Sequence, residues 1–220
     1  MAVLKWDAVG ERLYETGTDR GVLFLADTTG AKSYQPGVAW TGLMKVTEAP
    51  DGAEETALYA DNIKYLSLFS SENFKGTIGA YTYPDEFGMA NGEVELKTGI
   101  TVHEQNRIPF AFSYRTKVGN DVAGEDHGYK IHIVYGAKVQ PSEKSYESIN
   151  SDPSALEMEW DFVTSPVEVP GYKPTAHIVI DSTKVTAANI KKIEDSLYGT
   201  ADKEAAVLMP ADLVALVGAV

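Results

Sequence analysis

The chain contains no cysteine. Disulfide staples and thiolate metal sites are therefore excluded, and the fold must be held by its core alone. Long apolar runs are missing too. No stretch approaches the ~20 residues that a membrane helix needs, and the apolar run 213–217 is short enough to read as a docking segment. Residues 1–7 lack a basic cluster followed by a long apolar stretch, so no secretory signal is read there. Positive charge is scarce: 19 Lys and Arg stand against 32 Asp and Glu, a formal net charge of -13. That balance excludes a uniformly basic nucleic-acid-binding surface. Its ordinary reading is solubility; its sharper reading is a surface that repels a polyanion.

Residue groupings that carry chemistry are equally sparse. His103, His127, His132 and His177 are dispersed, with none in an HExxH pair. No metal site or other cofactor is expected from them. Phosphate-binding loops and serine nucleophile elbows are absent. Acid pairs such as Glu157 with Glu159 on one strand face arise by chance among so many acids, and they are not read as a glycosidase dyad. Arg107 and Arg115 flank the aromatic segment 110–114, which reads as core rather than as a stacking platform for bases. The chain is not expected to be an enzyme.

What is present points to β-structure. Twelve Tyr, seven Phe and frequent Thr and Val fit pleated, half-buried surfaces. Strands are expected at 21–25, 38–47, 62–69, 74–83, 93–102, 109–117, 129–139, 156–164 and 175–180. The apolar and polar alternation in 62–69 predicts a strand with one buried face. Residues 84–87 open with Pro and two acids and predict a short helix. Thr186 as N-cap, Ile190, Ile193 and Leu197 at helical spacing and Gly199 as stop predict one clear helix. Because strands run together without alternating helices, the expected fold is an antiparallel sandwich or barrel of two packed sheets with one flanking helix. One domain is expected over 1–200, with an N-terminal arm over 1–20 and a C-terminal arm over 201–220.

Residues 48–61 carry Glu48, Asp51, Glu54, Glu55 and Asp61 and no base. They read as a long acidic loop, with a strand starting near Ala57. A loop of that length in a compact domain is usually functional, and these five acids are expected to contact a neighbouring subunit. Glu93, Glu95, Glu157 and Glu159 are expected on polar strand faces. Trp40, Tyr59 and Tyr81 are candidate interface aromatics.

Several strings, in order, resemble one family. They are Gly10-Glu11-Arg12-Leu13-Tyr14, Gly37-Val38-Ala39-Trp40-Thr41-Gly42-Leu43, Leu58-Tyr59-Ala60-Asp61-Asn62-Ile63-Lys64-Tyr65-Leu66, Gly128-Tyr129-Lys130-Ile131-His132-Ile133-Val134-Tyr135-Gly136-Ala137, Thr164-Ser165-Pro166-Val167-Glu168-Val169 and Leu197-Tyr198-Gly199-Thr200. Over roughly 8–200 the chain resembles the major tail proteins of long, non-contractile-tailed phages of Gram-positive hosts. The resemblance implies a structural virion subunit, assembled in the host cytoplasm into rings, typically hexameric, that stack into the tail tube. It implies a tape-measure protein, distal tail and tail terminator proteins as partners, and passage of DNA without specific binding. The loop acids Glu48, Asp51, Glu54, Glu55 and Asp61 would then contact the next ring, and some of Glu93, Glu95, Glu157 and Glu159 would face the lumen. A contractile-tail tube subunit and a phage carbohydrate-binding sandwich are the alternatives.

Overall fold

The computed structural model describes residues 3–30, 33–146, 148 and 155–218, so the outermost residues of both expected arms lie outside it. The described chain begins its regular structure with β1 (Leu13–Leu25), followed by the short β2 (Val38–Ala39) and β3 (Leu43–Glu48). An arm comes next, made of β4 (Asp51–Gly52), β5 (Glu55–Ala60), β6 (Ile63–Phe69) and β7 (Glu72–Asn73). β8 (Lys75–Ala80) leads to helix α1 (Phe87–Asn91) and the ribbon of β9 (Val94–Lys97) and β10 (Ile100–Val102). The long β11 (Phe110–Asn120) and β12 (Gly124–Val139) precede β13 (Met158–Thr164), the ribbon of β14 (Val167–Val169) and β15 (Tyr172–Thr175), and β16 (His177–Asp181). Helices α2 (Ala187–Leu197) and α3 (Pro210–Val217) close the chain.

The expected pair of packed sheets is not found. One eight-stranded antiparallel sheet, in the order β2-β1-β11-β12-β13-β8-β3, forms the body, and β16 joins it along β12. The sheet curls until β3 approaches β1, yet no ladder joins these two strands and the barrel stays open. The reason that one sheet suffices is that β12 forks. One edge pairs with β11 along most of its length, while the other pairs with β16 over Lys130–Val134 and with β13 over Ala137–Val139.

The fork coincides with a change of side-chain phase. Val134 points into one core and Tyr135 into the other, as alternation requires. Ala137 and Val139 then return to the Val134 side, because Gly136 adds a bulge. Its φ of +58° suits glycine, and a Cβ there would lie 2.4 Å from the Ser165 carbonyl oxygen.

The two cores lie on opposite faces of the sheet. The inner one is aromatic: Trp40, Phe87, Phe112 and Trp160 meet edge to face or tilted, with centroids 4.6–5.9 Å apart, and α1 plugs it through Phe87 and Ala90. The outer one is aliphatic. Val22, Phe24, Ile131, Ile133 and Tyr135 receive Ile190, Ile193 and Leu197 of α2 together with Leu208 and Leu213. The α2 stripe is the one that the helical spacing predicts, and the Thr186 side chain accepts from the Asn189 N–H at its start. Among the described residues, the short helix expected from 84–87 is α1, displaced to begin at Phe87, and a third helix, α3, follows Pro210. The expected C-terminal arm, over its described part, packs on this same outer core. The Tyr135 hydroxyl donates to the Leu208 carbonyl at 2.7 Å, and burial pushes that phenol's pKa up.

One ion pair braces the irregular half of β1. Arg115 on β11 donates twice to the Asp19 carboxylate, both at 2.7 Å, and its guanidinium lies 4.7 Å from the Tyr129 ring centre. The Arg115 hydrogen bond holds the Asp19 carboxyl below the usual range. Because its folded pKa is depressed, its stabilising contribution is present above the unfolded value of about 3.9 and is lost as pH falls through the folded one.

Two outcomes are expected. Gly136→Ala forces a Cβ into left-handed backbone against a carbonyl, and urea unfolding should show a loss of about 1–3 kcal/mol; an unchanged midpoint would show that the bulge is not needed. Asp19→Asn should lower stability at pH 7 by about 1 kcal/mol, the exposed part of the pair being screened. The gap between the two proteins should narrow below about pH 4. A gap that widens in acid would contradict the assigned sign.

Candidate assembly surface

The segment 49–74 leaves the sheet after β3 and returns to it at β8. Its middle is a regular hairpin rather than a loop. Ala60 pairs with Ile63 across the two residues Asp61 and Asn62, whose φ values of +51° and +62° are those of a type I′ turn. The expected acidic loop is therefore strand, turn and strand. Asx residues at both left-handed positions carry the turn without glycine.

The hairpin has two unlike faces. Thr56 lies opposite Leu68, and Leu58 opposite Leu66, so one face is an aliphatic stripe. Glu55, Ala57, Tyr59, Lys64, Ser67 and Phe69 lie on the other face, where Lys64 and Ser67 both donate to Glu55. Tyr65 is the extra residue of a bulge between the Leu58–Leu66 and Tyr59–Lys64 pairs. Leu58, Leu66 and Leu68 are 41%, 46% and 50% exposed, and Tyr59 and Tyr65 are 71% and 74% exposed. The buried face expected for 62–69 is thus formed but not covered by the described residues. A two-stranded ribbon is marginal alone in water, and a stripe of this kind gains from being covered.

The five acids of the segment have distinct places. Glu48 is the last residue of β3, where it accepts from the Tyr114 hydroxyl at 2.6 Å. Burial of the phenol, and then that bond, raise the Tyr114 pKa. Asp51 accepts from Lys75 at 2.6 Å across the root of the arm, and the ammonium holds its carboxyl below the usual range. Lys64 does the same for Glu55. Glu54 lies between β4 and β5 and Asp61 in the turn, both exposed. Asp51 and Glu55 thus act first as ties within the arm, a role that charge counting could not distinguish from contact with a neighbour.

The other candidate residues separate into surface and interior. Glu159 is exposed on β13 and pairs with Lys45 on the same face of the sheet at 2.5 Å, while Glu157 is exposed just before that strand. Asp161, two residues on, accepts from Thr77 at 2.5 Å. Among the described residues no helix covers this face of β13, β8 and β3, and its exposed residues are mostly polar. Glu95 is exposed on the β9–β10 ribbon, outside the main sheet, and accepts from the Gly99 N–H at 3.0 Å. Glu93 is a correction. It precedes β9 and is buried, accepting from Asn91 at 2.7 Å and from the Tyr83 hydroxyl at 3.3 Å, with Lys144 3.8 Å away. Trp40 is another: it is inner core, and its Nε1–H donates to the Thr82 carbonyl at 2.9 Å. Tyr59 and Tyr81 are surface residues.

Sequence reasoning passed over two further surfaces. Val3, Leu4, Trp6 and Val9 at the N-terminal end are exposed, as are Leu96 and Ile100 on the β9–β10 ribbon. The mixed residues around the first carry no period that marks a surface, and 93–102 reads as a single strand. Its turn at Gly99, with φ of +79°, divides that strand in two.

Because β5 and β6 pack chiefly on one another, the body does not depend on the arm. Replacing 54–70 by a short Gly-Ser linker should leave a cooperatively folded protein whose Tm changes by less than about 3 °C. A drop several times larger, followed by circular dichroism, would show that the arm packs on the body.

No protein-family profile matches the chain, and no curated protein matches it.

Proposed function

We propose that this protein is a structural subunit of a phage tail tube, assembling through copies of itself into rings that stack around a DNA channel. The observation that carries the reading is the aliphatic stripe of the arm, Leu58, Leu66 and Leu68, which is built with regular pairing and left bare by its own chain. A subunit of a closed polymer has such surfaces by necessity, since each must be complementary to a neighbour. The open edges of the curled sheet point the same way, because edge strands are sticky until paired or covered. The ordered resemblance to major tail proteins gives the reading its specific form, including tape-measure, distal tail and terminator proteins as partners.

The polar face of β13, β8 and β3 is the candidate channel lining. It carries Glu157, Glu159 and Asp161, partly offset by Lys45. Six subunits of formal charge -13 would give a ring of -78. A channel with few free cations does not displace the counterions of DNA, so the polymer slides without adhering.

Electron microscopy of the concentrated protein at raised salt, which screens repulsion between acidic subunits, should show hollow rods or rings of uniform width. Leu66→Asp should leave the Tm of the single subunit nearly unchanged, since the site is exposed, and should abolish the rods. Single subunits at every salt and concentration, with Leu66→Asp sedimenting like the parent, would overturn the reading. So would rods formed equally well by the variant.

A further inference from the structure

Three side chains that are far apart in sequence meet at the root of the arm. Glu48 closes β3, His132 lies in the middle of β12 and His177 opens β16. Glu48 Oε1 is 3.2 Å from His132 Nδ1 and 3.8 Å from His177 Nε2, and the two ring nitrogens are 3.2 Å apart. These are three electron-pair atoms in one small triangle. A proton can satisfy one side of it. An ion bound at about 2.0–2.2 Å from each atom satisfies all three, and ligand atoms around such an ion lie about 3.2–3.6 Å apart.

The surroundings are those of ligands held in place. His132 Nε2 lies 3.0 Å from Thr116 Oγ1, which as acceptor leaves Nδ1 with its lone pair towards the triangle. The Tyr114 hydroxyl donates to the same Glu48 oxygen. Outer partners of this kind, one on the far nitrogen of an imidazole and one on the carboxylate, orient metal ligands. The rings are also clamped: Tyr114 stacks on His132 with centroids 4.6 Å apart, and Phe74 stacks on His177 at 4.5 Å. Burial pushes His132 down to about 4 and lowers His177 as well, with Glu48 opposing both. The neutral imidazole is the form that binds metal. A cleft of about 290 Å³ lined by Glu72, Asn73, Phe74 and Thr175 adjoins His177 and leaves room for water.

We propose that Glu48, His132 and His177 form a binding site for one divalent transition ion of the zinc class, with water as the fourth ligand. Two imidazoles and one carboxylate suit zinc, cobalt and nickel and do not suit calcium or magnesium, which take oxygen ligands. Binding replaces the proton that His177 shares with His132, and that proton moves to His177 Nδ1. The ion has a structural task. The arm leaves the sheet directly after Glu48, and it returns through Phe74, which stacks on His177. A bound ion ties both ends of the arm to the central strand. This proposal stands whether or not the protein forms a tube.

The test is a titration of the chelator-treated full chain with zinc and with cobalt at pH 7.5. The expected result is one ion per chain, a visible absorption band of tetrahedral cobalt, and a Tm rise of about 5–10 °C at a hundredfold excess over Kd. Glu48→Gln and His132→Gln should each weaken binding by on the order of 100-fold, whereas His127→Gln and His103→Gln should bind like the parent. Glu48 is at the open side of the cluster, so its variant remains informative if His132→Gln does not fold. Absence of binding at ~100 µM cobalt, or binding untouched by Glu48→Gln and lost in His127→Gln or His103→Gln, would overturn the proposal.

Discussion

Strand β12 has no solvent face over its middle, and the rest of the molecule is arranged around that constraint. Ile131, Ile133 and Tyr135 demand cover on one side, and Val134, Ala137 and Val139 demand it on the other. The first demand is met by α2 and the segment leading into α3, the second by the curl of the sheet around its aromatic core. Burying both faces of one strand normally calls for a layer on each side. Here the sheet supplies one of these layers itself by rolling over. The Gly136 bulge makes this possible, since it lets β12 pass from β16 to β13 without turning its apolar residues out.

Helix cover ends where that fork ends. Beyond it, β13, β8 and β3 present their outward residues to solvent, and apart from Val163 they include Glu159, Asp161, Thr77 and Lys45. The division into a helix-covered half and a bare polar half thus follows from the path of one strand. The arm sits at the far end of this bare half, after β3. Among the described residues its strands, like those of the β9–β10 ribbon, carry an apolar face that the body does not cover. The proposed tube and the proposed ion address different parts of this arrangement. The tube would cover the stripe of the arm, and the ion would set the direction in which the arm leaves the body.

Much of the secondary structure was legible. The alternation in β13, with Trp160 and Phe162 inside and Glu159 and Asp161 outside, is present in the sequence and in the fold. The Ile190, Ile193 and Leu197 stripe was legible for the same reason: burial on one side of a regular element leaves a period. The acidic segment was misread because acids are common in loops. In this hairpin, Glu55 is matched by Lys64 across the strands, a pairing that no local composition displays. Glu93 and Trp40 were misplaced through the same ignorance of neighbours. A buried carboxylate is tolerated only with partners, and those of Glu93 come from Asn91, Tyr83 and Lys144.

The sequence alone determined a β-rich, cysteine-free, strongly acidic chain with one strong amphipathic helix, because composition and period are properties of residues in order. Only the tertiary structure decided that a single rolled sheet replaces two packed ones. That outcome rests on the left-handed backbone of one glycine and on which strand β12 meets on each side of it. Only the tertiary structure, likewise, brought Glu48, His132 and His177 within 4 Å of one another. Their meeting depends on the registers of β3, β12 and β16, and register is set by pairings between strands remote in sequence, where no local spacing records it.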